Sequence, residues 1–178
     1  MSNLLIKPLP RDLIWKASYL DASAAVKLVV TEKTGSENVR AYFANRSGFL
    51  MTSLCLVEAL GVMKRKWLKK EIPQDQYFSA CYVLLSHVRE RPGRRIKIDE
   101  IELTDPDTFM RAEELSRLYN LDLSDSLQIV SIKHGKFRLF GHESKTVLIT
   151  ADSDLEEAAI KEGLRVWNCD KTPQPPAQ

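Results

Sequence analysis

Short apolar runs, each followed by a stretch with helical spacing, recur along the chain, and this alternation is the pattern of an α/β protein with a parallel sheet. SerTyrLeuAsp (18–21) closes a first strand and residues 22–30 continue as a helix, then Gly35 breaks the chain ahead of a second helix over 36–45. PheLeuMetThr (49–52) is a short strand, after which Ser53 is placed to cap a long helix reaching about Lys70. Pro73 opens a further helix that stops before the ProGly at 92–93, and ArgIleLysIle (95–98), extendable toward Leu103, gives a third strand. Phe109, Ala112, Leu115 and Leu118 recur at helical spacing within 106–119, and Ser124 is placed to cap a helix that ends at Gly135. ThrValLeuIleThr (146–150) reads as a buried strand, residues 152–162 as a helix, and LeuArgValTrp (164–167) as a last strand after Gly163.

These elements fit one domain over residues 18–170, since 178 residues suffice for a single core. Residues 1–17 form an extension in which Leu4, Leu5 and Ile6 are available to dock, and the proline-rich tail, 171–178, is expected to be disordered. No apolar run approaches the ~18 residues of a membrane span. The first residues carry Lys7, Pro8, Pro10, Arg11 and Asp12 rather than a secretory signal, so a cytoplasmic protein without membrane contact is expected. Three cysteines, Cys55, Cys81 and Cys169, contain no Cys-x-x-Cys pair and are expected to be buried reduced thiols. His87, His134 and His142 lack metal-ligand spacing, which argues against histidine-based metal or base chemistry.

A net charge of +2 does not by itself call for nucleic acid, but its distribution is uneven. Residues 61–98 hold ten basic and three acidic side chains, whereas 99–126 hold nine acidic and two basic ones. LysArgLysTrpLeuLysLys (64–70) and ArgGluArgProGlyArgArg (89–95) are the two basic clusters; each read singly is a solvated face, and together they favour a nucleic-acid partner.

Four acids occupy places that surface acids avoid. Asp21 stands at the carboxyl end of the first strand, where open α/β sheets bind ligands, although Asp is also a good helix cap. Glu58 shares a helix face with Leu54 and Val62, and an ionised carboxylate on such a stripe needs a partner or a cation. Asp125 begins a helix that is apolar through Leu127, Ile129, Val130 and Ile132; the helix dipole alone accounts for an acid there, and Asp122 competes for the role. Asp152 repeats the strand-end position of Asp21, with Asp154 two residues on. If the four converge at one sheet edge, their mutual repulsion calls for a cation, and oxygen-only ligands select a hard ion, Mg²⁺ or Mn²⁺.

With these residues in place, the chain resembles the PIN-domain ribonucleases, and especially the VapC-like toxins of bacterial and archaeal toxin–antitoxin modules. TyrLeuAspAlaSerAlaAlaValLysLeu (19–28), ThrSerLeuCysLeuValGluAla (52–59), LeuAspLeuSerAspSerLeuGlnIle (121–129) and LeuIleThrAlaAspSerAspLeu (148–155) look like the family's four motifs, in family order. The resemblance covers about residues 18–169 and implies the acidic quartet Asp21, Glu58, Asp125 and Asp152 as catalytic and metal-binding residues. Ser23 and Thr150 match small hydroxyl positions near the site, and cap or turn residues are an equal reading of both. Two departures are modest: Ser126 stands where Ala is commoner, and the 1–17 extension precedes an Asp usually found near the initiator Met.

The resemblance implies a three-layer α/β/α domain with a central parallel sheet that cuts single-stranded RNA using Mg²⁺ or Mn²⁺, forms homodimers and is silenced by a cognate antitoxin. Lys64, Arg65, Arg94 and Arg95 are candidates to guide the RNA backbone, and Tyr42, Trp67 and Tyr82 to stack bases, although buried aromatics are the simpler reading of those three. An alternative is a catalytically inactive module of the same fold that only docks RNA or protein; four intact acids argue against it. A phospho-acceptor signalling domain would want two adjacent acids after the first strand and a late Lys. The chain has Tyr19 and Leu20 before Asp21 and ends its late strand in ThrAlaAsp.

Overall fold

The structure, a computed structural model, describes residues 17–89, 95–135 and 146–175. Its strands are β1 (Ser18–Leu20), β2 (Phe49–Thr52), β3 (Ile96–Asp99), β4 (Val147–Thr150) and β5 (Val166–Asn168). Its helices are α1 (Ala22–Val29), α2 (Ser36–Asn45), α3 (Ser53–Leu68), α4 (Gln74–Val88), α5 (Pro106–Tyr119), α6 (Leu123–His134) and α7 (Ser153–Lys161). Every strand pair is parallel and the order is β3-β2-β1-β4-β5, the sheet of a three-layer α/β/α fold.

That order places a switch point between β1 and β4. The chain runs outward from β1 through β2 to β3, then returns to β4 on the other side of β1. Crevices for ligands form outside the carboxyl ends of strands at such a point. Strands β2 and β4 read as nearly unbroken apolar runs because both faces are covered, whereas the edge strand β3 exposes Lys97. Leu20, Met51 and Ile149 face the core shared with α1–α4, while Tyr19, Leu50 and Leu148 face the core that takes in Leu121, Ile129, Leu155 and Ala158. A smaller cluster of Ala112, Leu127 and Val130 receives Leu54 from the first turn of α3, which brings α3 to α6 at the sheet edge.

Two expected caps differ from the ones observed. Thr52, not Ser53, caps α3, its hydroxyl accepting from the Cys55 N–H at 3.1 Å, because Thr52 is the last extended residue of β2 and Ser53 is already helical. Asp122, not Ser124, stands at the cap position of α6 and makes no side-chain cap bond; Ser124 lies inside the first turn. The third strand ends at Asp99 rather than running toward Leu103. Past β5, the Trp167 indole donates to the Thr172 carbonyl at 3.0 Å, holding the chain against the domain that far. The 1–16 part of the extension, residues 176–178 of the tail and Arg94, with most of the 89–95 basic cluster, lie outside the described residues.

Candidate metal centre at the sheet switch point

Asp21 ends β1, caps α1 and is almost wholly buried at 3% exposure. Its carboxylate is held by four donors. The Ala22 N–H reaches Oδ1 at 2.5 Å, and the Ser23 N–H, the Ser23 hydroxyl and the Thr150 hydroxyl reach Oδ2 at 3.1, 2.5 and 3.0 Å. Each hydroxyl in turn accepts a backbone N–H from the turn after β4: Ser23 Oγ from Ala151 at 2.8 Å, Thr150 Oγ1 from Asp152 at 2.9 Å. The two small hydroxyl residues therefore weld the β1–α1 turn to the β4–α7 turn across the switch point. Even with these donors, burial raises the Asp21 carboxyl above the usual range.

Asp152 stays exposed and caps α7, its Oδ1 accepting the N–H groups of Asp154 and Leu155 at 2.7 and 3.0 Å. Asp125, half-buried in the first turn of α6, is pushed up to about 8, first by burial and then by the charges of Asp21, Glu58, Asp152 and Asp122. Glu58 is raised by burial and by Asp21 and Asp122, while the Ser124 hydroxyl and the Arg65 charge pull the other way. Its Oε2 is buried and has no hydrogen-bond partner. Nearby, burial and the charges of Asp21, Glu58 and Asp125 push the Cys55 thiol well up, which keeps it protonated and unsuited to nucleophilic attack. All three cysteines are free.

Of the four sequence acids, Asp125 feels the charges of the other three, and Glu58 feels that of Asp21. Among the described residues, no group of three or more His, Cys, Asp or Glu side chains is gathered tightly enough to hold a metal ion as it stands. The donor chemistry nevertheless fits a hard divalent cation: the donors are all oxygen, one buried carboxylate oxygen is unpartnered, and the repulsion among the acids is the term a cation would reverse.

Ser124 is a site neighbour that sequence reasoning assigned to capping; its place within 121–129, beside Asp125, was the available signal. Other candidates have structural roles. Arg95 Nη2 donates to the carbonyls of Phe43 and Arg46, and its guanidinium lies 4.0 Å from the Phe43 ring centroid, which ties it to the end of α2. Tyr42 packs on Phe49 and Trp167 and shares a hydrogen bond with Ser18 at 3.2 Å. Trp67 stacks on Tyr77 at 5.0 Å under the Lys64 ammonium, while Tyr82 is 66% exposed.

A family model described as PIN domain matches residues 18–161, most of the chain and all four acidic positions. The protein belongs to the PIN-domain family, whose members are generally nucleases that use divalent metals. Among curated proteins, none matches the chain closely enough to count as a relative.

Proposed function

We propose that the protein is a divalent-metal-dependent endoribonuclease that hydrolyses phosphodiester bonds of single-stranded RNA in the cytoplasm. The observation that carries this reading is the crowding of Glu58 and Asp125 against Asp21, with the buried Glu58 Oε2 lacking any partner. A scaffold that only docks a ligand has no reason to bury carboxylates together at such cost.

Asp21, Glu58, Asp125 and Asp152 would hold the ion, Mg²⁺ or Mn²⁺. Such an ion supplies a nucleophile from water at neutral pH and offsets the phosphate charge. Asp21 is preset for the role, because Ser23 and Thr150 fix its plane before any ligand arrives. Asp125, pushed up to about 8 by burial and by its acidic neighbours, would lose its proton on holding such an ion. Ser124 faces Glu58 and limits where its carboxyl turns. Lys64, Lys69 and Lys70, exposed along and beyond the second half of α3, favour the approach of a polyanion.

In the toxin reading the protein pairs as a homodimer and a cognate antitoxin covers the acidic edge. Exposed apolar side chains on α4 (Phe78, Tyr82) and α5 (Met110, Leu118) are suited to such contacts. The test is cleavage of labelled single-stranded RNAs with Mn²⁺, with chelator, and by Asp21→Asn. Cleavage by the wild type alone, abolished by chelator, is expected. An inert wild type that still binds RNA would replace the enzyme with a binding module. Growth arrest on expression, relieved by Asp21→Asn, is the result that separates a toxin from a housekeeping nuclease.

A further inference from the structure

Arg65 sits two helical turns beyond Glu58 on α3, and the seven-residue spacing returns it to the same face. Between them is Gly61, in the interior of the helix, where glycine is a weak former. A Cβ built on Gly61 would meet one group within 4 Å, the Arg65 Nη1 at 3.6 Å. The guanidinium therefore leans back along α3 past the bare glycine, along the face of Glu58, and stays open to solvent.

The neighbouring cations on α3 have other contacts, although Lys64 stays exposed. Lys66 pairs with Glu32 at 2.6 Å and with Glu71 at 3.4 Å, and Lys64 lies 4.0 Å from the Trp67 ring centroid. Among the described residues the exposed Arg65 side chain makes no ion pair or hydrogen bond, and it shares its helix face with Glu58. The helix dipole accounts for a cation in the last turn of α3. The lean back over Gly61 follows the usual direction of a helical side chain, and here that direction carries the guanidinium along the face of Glu58.

We infer that Arg65, seated over Gly61, binds a backbone phosphate of the RNA beside the acidic edge and so positions the strand for cleavage. A planar guanidinium offers paired donors that match two phosphate oxygens, which an ammonium does not. A phosphate that approaches four carboxylates needs such a counter-charge on the side the metal does not cover. Gly61 has a defined part in this: a Cβ there only touches the guanidinium, at 3.6 Å, but a longer side chain would occupy its place. The inference rests on the RNA-cleaving reading above, and it concerns substrate contact and not metal binding.

The experiment compares wild type, Arg65→Gln, Gly61→Leu and, as a control on the far helix α5, Arg117→Gln. Cleavage of a labelled single-stranded RNA is followed in Mn²⁺ across a salt series, and binding of the same RNA by fluorescence anisotropy in chelator. Arg65→Gln should lower kcat/KM by about 10- to 100-fold, the loss of one charge-assisted contact. It should also reduce the slope of log affinity on log salt by about 0.7, the share of one single-strand phosphate. Gly61→Leu, which keeps the arginine but takes its seat, should move both quantities the same way. Arg117→Gln should match the wild type.

Unchanged salt slopes in Arg65→Gln and Gly61→Leu, with melting temperatures intact, would overturn the inference even if the wild type cleaves RNA. If the wild type cleaves nothing, the nuclease reading fails, and the anisotropy series still decides whether Arg65 contacts phosphate. A fall in affinity without a change in slope would assign Arg65 a structural role and also overturn the inference.

Discussion

Helices α1 and α3 carry charged groups in two settings that behave in opposite ways. At the C-terminal half of α1, Lys27 is buried but pairs with Glu32 at 2.7 Å and Asp170 at 3.0 Å, and Lys66 of α3 closes on the same Glu32 at 2.6 Å. Gly35 makes room for this network: its φ of +73° suits glycine, and a Cβ there would collide with the Asp170 carboxylate. Here the partners hold Glu32 below the usual carboxylate range and Lys27 and Lys66 above the usual ammonium range. At the other end of α1, Asp21 faces Glu58 of α3 and Asp125 of α6, and all three carboxyls are raised. The first cluster balances its own charge and works as a clamp. The second is left unbalanced, which is what a site that awaits a cation looks like.

The largest effect should come from the unbalanced cluster. Asp21→Asn or Asp125→Asn should reduce Mn²⁺-dependent RNA cleavage by about 10³-fold or more, while circular dichroism reports an unchanged fold. Retained cleavage in Asp125→Asn would mean the acids are structural after all.

The clamp should respond in stability. Lys27→Met leaves Glu32 and Asp170 without their shared cation. Because their side chains are 22% and 30% exposed, the loss should be about 2 kcal/mol, below the ~3–5 kcal/mol of a fully buried broken pair. Urea denaturation measures it, and a loss under a few tenths of a kcal/mol would show that the pairing is incidental.

The two clusters should also separate in their pH dependence. Glu32, lowered in the fold, contributes stability that is present above the ordinary carboxylate pKa and lost as pH falls through the folded value; it should be silent between pH 6 and 8. Asp125, raised to about 8, binds its proton more tightly in the folded state than in the unfolded one. The metal-free protein should therefore lose stability as pH rises from the ordinary carboxylate range to about 8. Melting curves in chelator should fall across that window and fall less steeply in Asp125→Asn, where Asp21 and Glu58 still contribute. A flat wild-type curve would remove the repulsion on which the comparison depends.

The smallest effect belongs to Gly61→Ala. Only the flexible end of Arg65 lies within 4 Å of the added Cβ, at an ordinary contact distance, so the helix should gain about 0.5–1 kcal/mol. A destabilised variant would show that the glycine serves packing and not the arginine.

Much of the fold was legible because β2 and β4 are covered on both faces and stand out as apolar runs, and the carboxyl ends of strands are where open sheets bind ligands. The acids at strand ends, Asp21 and Asp152, follow from that rule, and Glu58 from its position on an apolar stripe. What escaped is information that is not local. Nothing near Tyr19 announces that its hydroxyl donates to Asp99, 80 residues away and buried, at 2.6 Å. Lys27, inside an apolar run, gives no sign that Glu32 and Asp170 will meet it. Arg95 reads as part of a basic surface cluster, yet the carbonyls at the end of α2 capture it. The cap assignments at Ser53 and Ser124 missed because serine favours both the cap and the first turn, and only the backbone path of β2 and of the 120–122 turn selects between them.

The central claim is that four carboxylates from β1–α1, α3, α6 and β4–α7 share a divalent cation, and calorimetric titration of Mn²⁺ into the metal-free protein tests it most directly. The expected result is saturable binding by the wild type that Asp21→Asn, Glu58→Gln and Asp125→Asn each weaken or remove, with Lys27→Met binding as the wild type does. Binding of equal strength in all three acid variants, or none in a folded wild type, would contradict it.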